Sequence, residues 1–218
     1  MLETGYTVDE DLSLDTQTHP FGERIAYMIE TIKKQVCIPV ISSMKKLEQF
    51  LKTELEVCVL QDVHIAMLGS MIGVLHEQHR KALVHIDMIN GISSDEYGTE
   101  FIVQKLKADG IISVKARVIE ATKKNHRLAI LRMFLIDSKS VERGIDTIEK
   151  AKPDMVEVMP AIAFSAIEAL RLRIEVPIIA GGLIKHEVDI DQGLSLGCDA
   201  FSLSDLNLCA YKSSQLKK

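Results

Sequence analysis

The chain has 218 residues, of which 47% are hydrophobic and 26% charged, with a formal net charge of −5. That length suits one domain with a sizeable core, and the composition is that of an ordinary soluble globular protein. The acidic balance excludes a global attraction to nucleic acid or anionic membrane, so any basic contact surface has to be local. There is no apolar run of membrane-spanning length and no basic-then-apolar secretion signal, so a cytoplasmic protein with no membrane partner is expected.

Residues 1–20 are polar, lean acidic and lack an apolar period, the pattern of a mobile tail. From Glu23 to Lys34, Ile25, Met28, Ile29 and Ile32 recur on one helical face. The chain is therefore divided into a polar tail with an extra helix at 1–35 and one folded domain at 36–218, the helix plugging or packing against that domain. Short apolar runs follow at 36–41, 56–60, 82–88, 109–114, 128–135, 154–159, 176–180 and 199–203. Helical patterns separate them at 43–54, 63–79, 95–107, 115–126, 138–151, 164–174, 186–196 and 205–213. Apolar strands alternating with amphipathic helices predict a parallel sheet covered by helices. Eight such units predict a compact (β/α)₈ barrel, with an open doubly wound sheet as the structural alternative. Cys37, Cys58, Cys198 and Cys209 form no C-x-x-C pair and are expected as buried thiols in a reducing compartment.

In such a barrel, chemistry sits where strands end. Strand seven, VPIIAGGLI, ends in Gly181 and Gly182, which let the backbone turn sharply and come close to a ligand. Strand eight ends in Ser202-Leu203-Ser204, ahead of a helix starting near Asp205. Bare amides at that helix start, with the two hydroxyls, predict a seat for an anionic, phosphorylated small molecule, although Asp205 also suits a simple helix cap. His85 and Asp87 stand two apart and face one way on a strand. With Glu157 they could form a metal or acid/base set. A hydrogen-bonded polar layer is the favoured reading, with Lys115 and Arg132 as partners of the carboxylates or as ligand-facing cations. Lys115 at a strand end also admits a Schiff-base lysine. The histidines in or near helices (His64, His76, His79, His126 and His186) show no convincing metal-ligand spacing. Among a basic run over the fourth helix, Arg117, Lys123, Lys124 and Arg127 are the candidates for contact with a polyanion, although charge runs are usually solvated faces.

The stretches SMKKLEQFL, VHIDMINGISSDEYGTEFI, DGIIS, RMFLIDS, KPDMVEVMP and PIIAGGLI, between Cys37 and Ser204, resemble the glycerol-3-phosphate-responsive antiterminator family of bacterial glycerol operon regulators. The resemblance implies a non-catalytic TIM barrel without cofactor or metal. Glycerol 3-phosphate would be its effector, and the occupied protein would act on leader mRNA to prevent termination. It also implies effector-pocket roles for Asp87, Lys115, Arg132, Glu157, Gly181, Gly182, Ser202 and Ser204. Asp87 and Glu157 would suit the hydroxyls, and the Gly-Gly turn, the serines and a cation would suit the phosphate. The chain departs from the family pattern at Ser42, Val114, Leu131 and Leu203, which predicts a thinner polar shell around that guest. Two alternatives stay open: an isomerase- or aldolase-like enzyme for a small phosphorylated substrate, and a diverged sensor barrel. Assembly into a homo-oligomer is also open.

Overall fold

The computed structural model describes residues 21–216; the expected mobile tail at 1–20 lies outside them. Eight strands, β1 (Cys37–Ile41), β2 (Val57–Leu60), β3 (Lys81–His85), β4 (Gly110–Ser113), β5 (Leu128–Phe134), β6 (Met155–Met159), β7 (Ile178–Gly181) and β8 (Ala200–Leu203), pair in sequence order. All neighbours are parallel, and β8 returns to β1 through Cys37↔Phe201 and Ile38↔Ser202, closing the barrel. The open-sheet alternative is thereby removed. After the first helix, α1 (Phe21–Gln35), the strands are followed in turn by α2 (Met44–Phe50), α3 (Ile65–Glu77), α4 (Glu96–Glu100), α5 (Ala116–Lys124), α6 (Ser138–Ala151), α7 (Phe164–Arg171), α8 (Glu187–Ser195) and α9 (Leu206–Leu216).

Strand alternation sorts the core into two layers. Ile38, Val59, Leu83, Ile130 and Ile179 point into the barrel, while Cys58, Val84, Ala129, Leu131 and Val158 pack against the helices. Met28 and Ile32 of α1 belong to the inner cluster, so α1 closes the barrel at the N-terminal ends of the strands. Gln35, at the end of α1, fixes this closure. Its side-chain amide donates to the carbonyls of Cys37 and Val57, and its oxygen accepts from the amides of Glu56 and Val57. One side chain thus satisfies four backbone groups that would otherwise be left without partners.

A second device recurs around the same end. Asp109, Asp154 and Asp199 each precede an even-numbered strand and accept from a backbone amide at the start of the strand before it, at Ala82, Ala129 and Ile178. Each carboxylate also meets a cation: Lys81 for Asp109, Lys123 for Asp154, and Lys33 with Arg171 for Asp199. The Asp-Gly and Cys-Asp-Ala turns of the sequence are therefore strand-to-strand clamps. The four thiols are unpaired and buried. Burial pushes Cys37 and Cys198 up to about 12, which keeps both protonated and unreactive at neutral pH.

Beyond trimmed element ends, the structure changes the character of two predicted elements. The third strand stops at His85 instead of running to residue 88, because Ile86–Met88 wind into a 3₁₀ turn. That turn carries Asp87 over to β4, where its Oδ2 accepts from the Val114 amide at 3.0 Å. Asp87 is therefore a turn residue beside β4 and not a strand residue in phase with His85. The helix expected over 95–107 is α-helical only to Glu100 and continues as a wider π turn, Phe101–Lys105.

Candidate functional site

At the C-terminal ends of the strands the barrel interior changes from aliphatic to polar. Arg132 and Glu157 are paired positions on β5 and β6, and Arg132 Nε donates to Glu157 Oε2 at 2.6 Å. The pair is almost fully enclosed, with Arg132 7% exposed and Glu157 0%. The other carboxylate oxygen, Oε1, accepts from Ser202 Oγ on β8. Both oxygens of Glu157 are thus occupied, so its role is to hold Arg132 and Ser202 in place. The terminal nitrogens of Arg132 are less committed: Nη1 has only the Met88 sulfur at 3.8 Å, and no described residue accepts from Nη2. A guanidinium locked at Nε and open at its outer edge is suited to a carboxylate or phosphate.

The Gly181–Gly182 turn lies against this group. A Cβ at Gly181 would stand 2.4 Å from Ser202 Oγ and 3.2 Å from Glu157 Oε1, so the Ser202–Glu157 contact requires glycine here. Gly182 has a φ of +78°, in the left-handed region where other residues are strained. Ser204 lies one residue beyond β8, exposed, in a groove also lined by Lys46 of α2. The amides of the α9 start are not bare, as the sequence suggested. Asp205 Oδ1 accepts from the amides of Asn207 and Leu208, capping the helix and placing a carboxylate where an anion was expected.

A second polar group forms the rim above β3 and β4. Lys115 Nζ donates to the carbonyl and hydroxyl of Ser94 and lies 3.7 Å from Asp87 Oδ1. The predicted carboxylate–cation pairs are therefore Arg132–Glu157 and Lys115–Asp87. Asp87 Oδ1 is buried and lacks a hydrogen-bond donor. His85, 2% exposed, is in the same condition at both ring nitrogens. Burial, with the Arg132 charge beside it, pushes the His85 imidazole down to about 4, so the ring is neutral at neutral pH. Three buried polar atoms without partners, close to an under-committed guanidinium, describe a site built to be completed by a ligand or ordered water. Among the described residues, no group of three or more His, Cys, Asp or Glu side chains is arranged to hold an ion.

Of the positions expected to thin the polar shell, Leu131 and Leu203 do not line the mouth at all. Both point outward into the helix-facing core, one residue out of phase with the inward Arg132 and Ser202. Val114, 42% exposed, and the half-buried Ser42 remain at strand ends by the rim. His85 joins the polar group, as its inward phase with Leu83 implies, and Ser94, which the sequence did not single out, joins it through Lys115. The four basic candidates separate. Arg117 is exposed early in α5, Lys123 is tied to Asp154 and the Lys152 carbonyl, Lys124 pairs with Glu96, and Arg127 turns under the barrel.

Comparison with known proteins matches residues 37–209 to the family described as glycerol-3-phosphate responsive antiterminator. A solved glycerol uptake operon antiterminator regulatory protein from Listeria monocytogenes is 32% identical, with a TM-score of 0.77 over 80% of this chain and 94% of that one. A glycerol uptake operon antiterminator-related protein from Thermotoga maritima is also 32% identical, with a TM-score of 0.70 over 79% and 96%. The Escherichia coli protein YgcP, itself uncharacterized, is 26% identical over 77% of this chain and 89% of its own length.

Proposed function

This chain belongs to the glycerol-3-phosphate responsive antiterminator family, and from that premise we propose that it binds glycerol 3-phosphate at the barrel mouth and, when occupied, binds leader mRNA of a glycerol operon to prevent termination. The observation that carries the reading is the family match across the whole barrel, residues 37–209. The mouth offers chemistry suited to that ligand. The open edge of Arg132 and the Gly181–Gly182 turn suit the phosphate, while Asp87 Oδ1 and the neutral His85 ring, both lacking hydrogen-bond partners, suit glycerol hydroxyls. Because Asp205 occupies the first amides of α9, the phosphate in this reading rests on the glycine turn and a guanidinium and not on the helix start.

The role is regulatory and not catalytic in this proposal. A Schiff-base lysine is activated by desolvation or by a neighbouring cation. Lys115 is instead 41% exposed at its side chain and engaged by Ser94 and Asp87. No helix among the described residues is long and apolar enough to cross a membrane, and the cytoplasm, where leader transcripts are made, is the proposed site of action.

Calorimetric titration of the full chain with glycerol 3-phosphate, with glycerol and inorganic phosphate as controls, tests the ligand. Saturation with the ligand should also raise Tm, since binding at about a hundred times Kd stabilises by ~2.7 kcal/mol. Retention of labelled leader RNA with and without the ligand tests the coupling. No heat with glycerol 3-phosphate, or RNA retention indifferent to it, defeats the proposal.

A further inference from the structure

The end of the barrel opposite the mouth carries a second concavity, between α1 and the starts of β3, β4 and β5. Arg24 and Tyr27, one helical turn apart on α1, form one wall; Lys81, Asp109, His126 and Arg127 form the other. Three of these side chains are cations and one is a carboxylate, in a chain whose formal net charge is −5. The carboxylate is already committed, because Asp109 Oδ2 accepts from the Ala82 amide and contacts His76 Nε2 at 2.9 Å. Lys81 lies 3.9 Å from the other oxygen. Among the described residues, the side chains of Arg24 and Arg127 make no hydrogen bond or ion pair, and Arg127 Nε is buried without a hydrogen-bond partner.

Apart from the exposed Arg117, this is unusual among the described arginines. Arg80, Arg132, Arg143, Arg171 and Arg173 each donate to a carbonyl or carboxylate. Arg24 and Arg127 instead line one concavity, where burial and then the Arg24 charge lower the proton affinity of Arg127 while Asp109 raises it. At Arg127 the Arg24 charge outweighs that of Asp109, and a bound phosphate would offset that repulsion and supply the missing acceptor. Tyr27 adds a ring on which a base can stack. A guanidinium pair beside an aromatic is the combination that single-stranded nucleic acid engages through phosphate and base together.

We propose that this concavity binds a backbone phosphate and adjoining base of single-stranded RNA, using Arg24, Arg127 and Tyr27. The inference rests on the RNA-binding reading above and deepens it by giving the RNA a face. Effector and RNA then occupy opposite ends of one barrel. Coupling between them would run along β5, which carries Arg132 at the mouth and begins one residue after Arg127. Arg24 and Tyr27 precede residue 37, where the family match begins, so this contact depends on a helix outside the matched region.

Fluorescence anisotropy of the full chain with labelled oligouridylate, across a salt series, tests it. Each phosphate contact on a single strand adds roughly 0.7 to the slope of log affinity against log salt. R24Q/R127Q, which removes the one phosphate contact that both arginines make, should therefore lower that slope by about 0.7 and weaken low-salt binding by roughly tenfold or more. R24Q alone, on a half-exposed helix position, should show half the slope change, and Y27A should weaken binding with the slope unchanged. Stabilisation by glycerol 3-phosphate should persist in each variant. Wild-type protein that retains neither oligouridylate nor leader RNA defeats the RNA reading itself. Wild-type binding with an unchanged slope in R24Q/R127Q overturns this inference alone, as does equal competition by polyglutamate of matched charge.

Discussion

Arg132 Nε and Glu157 Oε2 meet at 2.6 Å inside the barrel, on directly paired residues of adjacent strands, with Ser202 holding the second carboxylate oxygen. The contact is both a structural pair and the support that aims a guanidinium at the mouth. Those two roles separate under mutation. Glu157→Gln keeps the shape but leaves a buried unpaired cation, which costs roughly 3–5 kcal/mol. Replacing both members with apolar residues, R132M/E157L, removes that penalty. Urea unfolding should show E157Q strongly destabilised and the double variant recovering much of the loss. Calorimetry should show neither variant binding glycerol 3-phosphate with wild-type affinity. A double variant as unstable as E157Q shows that the polar network, and not the orphaned charge, sets stability.

Gly181 tests the same group from its other side. A methyl there would stand 2.4 Å from Ser202 Oγ, so Gly181→Ala should break the bond from Ser202 to Glu157 and cost about 1–3 kcal/mol. Removing the obstructing hydroxyl should relieve the clash. Ser202→Ala is therefore expected to destabilise the wild type yet cost less when added to G181A. A double-mutant cycle by chemical denaturation reads this as a coupling of 0.5 kcal/mol or more; strict additivity excludes the steric account.

The barrel and its polar end were legible because both are written in local periodicity. Alternating apolar runs and amphipathic helices give eight βα units, and Gly181-Gly182 marks a close approach at a strand end. The outward direction of Leu131 and Leu203 was equally available, since each neighbours an inward polar residue and strands alternate. Reading them as pocket positions set pattern comparison above strand phase. Other features had no local signature. Asp87 leaves the strand because its carboxylate reaches Val114, a partner 27 residues away. Arg24 and Arg127 meet only because α1 folds under the barrel, a contact that no spacing along the chain encodes.

That helix stands in the 1–35 segment set apart from the barrel domain by the sequence, yet its packing makes barrel stability depend on it. Ile32 is fully buried in the inner cluster, and Gln35 bonds four backbone groups of β1, β2 and the turn before β2. Ile32→Ala should cost about 2–5 kcal/mol by leaving a cavity under the barrel. Gln35→Ala should cost about 1–3 kcal/mol or more by orphaning buried donors and acceptors. Thermal or urea unfolding checks both. Wild-type stability in I32A would show that α1 is an appendage after all.

His85 makes the stability of the fold depend on pH in a defined direction. Its folded pKa lies at about 4, lowered from 6.5 by burial and by Arg132. An unfolded chain would take up a proton near pH 6.5, whereas the native state resists until about pH 4. Within that window the unfolded state binds more protons, so stability rises with pH. The neutral ring's contribution is fully present above pH 6.5 and is lost as pH falls towards about 4. Its full size is about 3 kcal/mol. His85→Gln has no such titration, and its stability should fall less steeply between the two pH values. Stability curves from urea titrations at half-unit pH intervals, wild type against H85Q, measure the difference. If the ligand also completes the partnerless ring nitrogens, saturating glycerol 3-phosphate should shift the wild-type curve further from acid loss than the H85Q curve. Parallel curves with and without ligand would remove His85 from the binding site while leaving its burial intact.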